Sequence, residues 1–200
     1  MVFSSLLYII CRALTLSAYT AWPKSFSMST EIIVMTGPES SGKTTLATQL
    51  SDCWNVPLVP EIARDYLREK DSYQQHDLLE VAKQQHQQEQ ALLSHSPEKI
   101  VCDTDLLVIM IWSELKYGHC DPWIYSTFED SLRQQTSSRY YYLCDYKIPW
   151  EADSLRENPD NRDELFELYV TKIEEYELCY SLVEGEPQER LQQVLHNSSS

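Results

Sequence analysis

Eight consecutive residues, Gly37-Pro38-Glu39-Ser40-Ser41-Gly42-Lys43-Thr44, fit the pattern G-x-x-x-x-G-K-[ST] in full. An apolar run, "EIIVMT", stands before them and a helical pattern follows, which is the context this pattern requires. Two glycines at this spacing let the backbone curl so that successive N–H groups point at a phosphate. The start of a helix adds its partial positive charge. Lys43 is expected to reach β- and γ-phosphates, and the Thr44 hydroxyl to ligate Mg²⁺. Contacts to ATP are therefore assigned to Gly37, Glu39, Ser40, Ser41, Gly42, Lys43, Thr44 and Thr45.

Carboxylates come next. In "IVCDTD", Asp103 directly follows an apolar run, the place where an acid holds Mg²⁺ near a bound nucleotide; Thr44 and Asp103 form the expected metal set. Asp105 either faces the same site or caps the helix that starts there. Glu61, in "VPEIARDYL", ends a second apolar run, where a carboxylate can orient an acceptor hydroxyl and take its proton. The plainer alternative is an ion pair with Arg64. Arg156 and Arg162 flank a polar loop that suits a lid, where a guanidinium can close over a transferring phosphoryl group; pairing with the surrounding acids is the competing reading. Trp112, Tyr117, Trp123 and Trp150 offer a flat wall for a ring, or core packing.

The elements that must position these groups alternate. "EIIVMTG", "VPLVPE", "KIVCDTD", "RYYYLCD" and "YSLVEG" read as strands by their β-branched, aromatic and glycine content. "KTTLATQLSDCW", "ARDYLREK", "SYQQHDLLEVAKQQHQQEQALLSH", "LLVIMIWSELKYG", "ELFELYVTKIEEYEL" and "PQERLQQVLHN" read as helices. Strands interleaved with helices predict an α/β three-layer sandwich with a mainly parallel sheet, of the P-loop NTPase kind, with a lid segment. Ligands then bind beyond the carboxyl ends of the strands, where Gly37 to Thr45, Glu61, Asp103, Asp105 and Asp145 all fall.

Bulk properties narrow the partners. A length of 200 residues suits one domain, expected over 30–196 with a frayed tail at 197–200. The net charge of −15 argues against a nucleic-acid partner, which needs a basic surface. Six cysteines without a CxxC pair fit a reduced, cytoplasmic protein without structural zinc. The leading "MVFSSLLYIICRALTLSAYTAWP" is apolar but split by Arg12, too short for a membrane span. Residues 1–29 are read as an extension outside the fold, with no stable membrane association and with organellar import left open. Nothing in the sequence sets an oligomeric state.

Five segments, "GPESSGKTTLATQL", "VPEIARDYL", "DTDLLVIMIWSELKYG", "YYLCDYKIPWEADSLRENPDNRDELFELY" and "RLQQVL", together resemble the nicotinamide riboside kinase domain of NadR-type proteins. That is the P-loop domain also described as an AAA-type ATPase of NAD metabolism. The resemblance runs from about Glu31 to Leu195. It implies a nucleoside-kinase-like fold and ATP-dependent phosphorylation of the ribose 5′-hydroxyl of nicotinamide riboside, giving nicotinamide mononucleotide. It also implies that Gly37 to Thr45 bind ATP, that Glu61 lies near the acceptor, and that Asp153 and Arg156 belong to the lid. The adenylyltransferase HxGH signature of NadR proteins is absent from the chain, so adenylyl transfer is not expected. The catalytic set is then Lys43, Glu61, Asp103 and Arg156, with Glu61, Arg64, Asp105, Trp112 and Asp153 around a small nucleoside. Two rivals remain: a regulatory ATPase acting on a protein partner, with the glutamine-rich stretch Gln74 to Gln90 as its surface, and a kinase for another nucleoside or a nucleotide.

Overall fold

The computed structural model describes residues 29–68, 70, 72–151 and 160–198. Residues 1–28 of the expected extension over 1–29, the final serines 199 and 200, and Asp153 with Arg156 lie outside the described residues. Among those described, five strands form one sheet: β1 (Thr30–Thr36), β2 (Leu58–Val59), β3 (Lys99–Asp103), β4 (Ser137–Cys144) and β5 (Tyr180–Val183). The helices are α1 (Lys43–Trp54), α2 (Ile62–Leu67), α3 (Gln75–Leu93), α4 (Leu106–Tyr117), α5 (Pro122–Leu132), α6 (Arg162–Glu175) and α7 (Pro187–Asn197).

The strand order is β2-β3-β1-β4-β5, and every pairing is parallel. Ile33 stands opposite Val101 on one side and Tyr140 on the other, so β1 is central. The chain leaves β1 toward β2 and β3 on one side and later returns past β1 to β4. That reversal opens a crevice at the carboxyl ends of β1, β3 and β4. The loop after β1, Asp103 at the end of β3 and Asp145 just after β4 all sit there.

Alternation along β1 divides the core. Ile32 and Val34 face one layer, with Ile100, Tyr141, Leu78, Leu107, Phe128 and Ile173. Ile33 and Met35 face the other, with Leu46, Leu50, Val101, Cys144 and Val194. Helices therefore cover both faces, as the near-continuous apolar strands require.

Two departures from the sequence reading have local causes. Helix α5 was not foreseen. It starts at an Asp-Pro pair: Asp121 accepts the Trp123 N–H at 2.8 Å, and Pro122 occupies the first turn, where its missing N–H costs nothing. The glutamine-rich α3 is not merely a solvated surface. Gln85 is buried, and its Oε1 accepts the Ile62 N–H at 3.0 Å, which satisfies the start of α2 beside Glu61.

Leu107, fully buried under α4, and Leu115, 47% exposed on the same helix, give a matched pair. Leu107→Ala is expected to lower the unfolding free energy by about 2–5 kcal/mol through transfer and cavity terms. Leu115→Ala should change it by less than about 0.5 kcal/mol. Urea denaturation of both variants measures the contrast.

Candidate active site

The loop after β1 departs from ordinary backbone at three positions. Gly37 has φ 130°, and a Cβ there would lie 2.5 Å from the Cys144 carbonyl oxygen, so only glycine fits. Gly42 (φ 79°) and Ser40 (φ 53°) lie in the left-handed region. These turns curl the chain directly into α1, whose first residue is Lys43.

Four carbonyls of the loop are taken by side chains. Lys43 Nζ donates to the carbonyls of Gly37 and Pro38 at 2.9 and 2.6 Å. Ser41 Oγ also donates to Pro38 O at 2.7 Å. Arg162 Nη1 reaches Ser40 O at 3.3 Å, while both its terminal nitrogens hold Ile148 O at 3.1 Å. Arg190 Nη1 donates to Ser41 O at 2.8 Å. Thr44 and Thr45 are exposed at the helix start.

Asp103 is buried, and the neighbouring Thr44 hydroxyl favours its charged form. Its Oδ1 is buried with no hydrogen-bond partner. Burial first, and then the charge of Glu61, push this carboxyl up from 3.8 to about 6, against the pull of Thr44, Lys43 and Arg64. A buried carboxylate oxygen without a partner beside a threonine hydroxyl is a donor set that suits a hard divalent cation.

A cavity of about 240 Å³ joins the loop to groups beyond it; Thr44 lines it, and Asp103, buried behind Thr44, is not among its lining residues. It is lined by the loop from Gly37 to Thr45 (Pro38 excepted), by Glu61 and Arg64, and by Val108, Ile111, Trp112, Leu115, Leu165 and Tyr169. Gln49, Pro187 and Arg190 line it on the side of α1 and α7. Glu61 and Arg64 form the anticipated ion pair, at 3.5 Å, and both still face the cavity. Burial first, and then the charges of Glu39, Glu61 and Asp105, push the Tyr169 hydroxyl well up.

Asp105 goes elsewhere. Thr104, with φ 73°, turns the chain between the two aspartates. The Asp105 carboxylate caps α4 through the Leu107 N–H at 3.0 Å, accepts from Tyr141 at 2.7 Å and pairs with buried Arg139 at 3.1 Å. Arg139 also holds Glu89 at 2.6 Å. This is a structural network, and Asp105 is not among the residues lining the cavity. Of the four aromatics considered, only Trp112 lines the cavity. Tyr117 donates to Tyr73 O at 3.0 Å, Trp123 packs edge-on against His86, and Trp150 lies under Arg162.

The sequence reading missed Arg190 and the apolar wall from α4 and α6. A faint signal existed: in "PQERLQQVL" an arginine sits four residues before Val194, on the buried face of α7.

Comparisons with known proteins agree with this geometry. Residues 32–190 match a family model described as "AAA domain". No curated protein sequence matches the chain. NadR protein in complex with NR superposes with a TM-score of 0.63 at 20% identity, over 86% of this chain and 49% of that one. NadR protein in complex with NAD and AMP-PNP gives 0.60 at 19%, over 86% and 50%. The chain thus spans about half the length of those NadR chains. Deoxyadenosine kinase from M. mycoides, with products dCMP and dCDP bound, gives 0.56 at 14%, over 84% and 98%. The fold is an α/β P-loop NTPase fold of the nucleoside-kinase kind.

The raised Asp103 carboxyl has a consequence for stability. A folded value near 6 against 3.8 means the native state holds the extra proton, so this contribution is full below about 3.8 and is lost as pH rises through about 6. Asp103→Asn removes the charge. Its stability advantage over wild type, by urea unfolding in EDTA, should grow between about pH 4 and about pH 6.5. A constant difference across that range would contradict the assignment.

Proposed function

We propose that this chain, which belongs to the AAA-domain family, is an ATP-dependent small-molecule kinase that phosphorylates a nucleoside, nicotinamide riboside being the best fit. One observation carries the reading: a single cavity joins the phosphate-binding loop to a carboxylate, Glu61, and to an apolar wall containing Trp112 and Tyr169. A nucleotide switch has no use for a second compartment of that kind.

Electrostatics favour an acceptor without phosphate. Among the described lining residues the cations are Lys43, Arg64 and Arg190. Lys43 and Arg190 are bonded to the loop, and Arg64 is paired with Glu61. A monophosphate acceptor would require further positive charge at that end. The carboxylates of Glu39 and Glu61 suit a cationic ring instead, such as the pyridinium of nicotinamide riboside, with the apolar wall taking its face. The solved NadR structure with NR has the same fold, which supports this choice of acceptor.

In this reading the loop amides and Lys43 neutralise the nucleotide's phosphates. Thr44 and Asp103 would hold Mg²⁺, which supplies charge neutralisation on the β- and γ-phosphates. Glu61 orients the acceptor hydroxyl and accepts its proton, while Arg64 keeps the Glu61 carboxylate on the cavity wall. Arg156 and Asp153, outside the described residues, keep the lid roles that the sequence resemblance implies, Arg156 stabilising charge on the transferring group. Positioning and electrostatics supply most of the rate, since the transfer asks for little covalent chemistry from the protein.

Coupled ADP release with Mg-ATP tests the proposal. Nicotinamide riboside should stimulate release strongly. Lys43→Ala should lower the stimulated rate by at least about 10²-fold, and Glu61→Gln by about 10²–10⁴-fold. Slow release indifferent to the riboside and to other nucleosides would instead indicate a regulatory ATPase.

A further inference from the structure

Arg190 is 2% exposed and reaches from α7 to three separate places. Its Nε donates to Gly185 O at 2.6 Å, in the turn between β5 and α7. Its Nη2 holds Asp145 Oδ1, and its Nη1 donates to Ser41 O at 2.8 Å. Asp145 is itself fixed at the end of β4, its N–H bonded to Val183 O at 3.0 Å. Every arm of the guanidinium is therefore committed to a rigid point at the end of the sheet or to the loop.

The effect on the loop follows from peptide geometry. In a planar trans peptide the carbonyl and the N–H point in opposite directions. Fastening the Ser41 carbonyl to Arg190 therefore fixes the Gly42 N–H on the opposite side of that peptide, facing away from Arg190. Gly42, left-handed at φ 79°, has no side chain to oppose that orientation. Arg162 acts on the neighbouring Ser40 carbonyl in the same sense, at a longer 3.3 Å.

We infer that Arg190, with Asp145 as its counter-charge, is a positioning residue that aims the Gly42 amide at the nucleotide's phosphates. The inference rests on the nucleotide-binding reading of the loop. Arg190 acts through the backbone it holds, because each of its three nitrogens is engaged by a protein acceptor. The pairing also explains why a C-terminal helix carries a buried cation: the long-range bond to Ser41 couples the last helix to the first loop.

The chain has only four glycines, Gly37, Gly42, Gly118 and Gly185, so protein labelled with ¹⁵N-glycine gives four amide signals. In wild type, ADP should move the Gly42 signal strongly and leave Gly118, at the end of α4, in place. Arg190→Lys keeps the charge beside Asp145 but cannot span three acceptors. It should weaken ADP binding about tenfold and abolish most of the Gly42 shift, with the Gly118 signal unchanged. A double variant, Arg190→Gln with Asp145→Asn, removes the buried pair as a unit and should behave alike. Wild-type ADP affinity and a wild-type Gly42 shift in either folded variant would overturn the role of Arg190. A wild-type Gly42 signal indifferent to ADP would overturn it together with the nucleotide-binding reading.

Discussion

A loop that presents its amide N–H groups to a ligand must dispose of its carbonyls, and the rest of this structure is arranged around that requirement. Leaving a buried carbonyl without a donor costs more than a typical hydrogen bond returns. Here the carbonyls of Gly37, Pro38, Ser40 and Ser41 are taken by Lys43, Arg162 and Arg190. These three cations come from α1, α6 and α7, so elements far apart in the chain meet at one loop. The parallel sheet supplies the fixed ends: β1 delivers the loop, and Cys144 at the end of β4 lies too close to Gly37 for any side chain there.

The same crevice concentrates opposing charges. A chain with net charge −15 brings Lys43, Arg162 and Arg190 to the loop and the carboxyl groups of Glu61, Asp103 and Asp145 to the strand ends around it. Asp103 is the tensest member, buried, pushed up to about 6 and carrying an oxygen without a partner. Such a group is poorly satisfied until a cation shares it, which links the energetics of the fold to the chemistry proposed for the site. Asp105, two residues on, is a contrast: Arg139 and Tyr141 hold one carboxylate oxygen, the Leu107 N–H holds the other, and the group caps α4.

What the sequence revealed about the site was what lies close together in the chain. Gly37 to Thr44 has a fixed spacing, and Asp103 and Glu61 follow apolar strands, so their meeting at the strand ends followed from the parallel sheet alone. The pattern of helices was legible for the same reason, except α5, whose signal is one Asp-Pro cap. Arg190, the cavity wall from α4 and α6, and the diversion of Asp105 by Thr104 depend on contacts tens of residues apart or on a single backbone angle. No local pattern encodes those. The aromatics illustrate the limit: four were available for a ring, and packing placed only Trp112 on the cavity.

The central claim is that the loop and the apolar wall form one compartment that transfers a phosphoryl group rather than surrendering it to water. The most direct measurement follows the γ-phosphate itself, with ATP labelled at that position and the products separated after a single turnover in the presence of nicotinamide riboside. The account predicts the label on a mononucleotide product. Label recovered only as inorganic phosphate, at the same rate with or without the riboside or any other nucleoside, would contradict it.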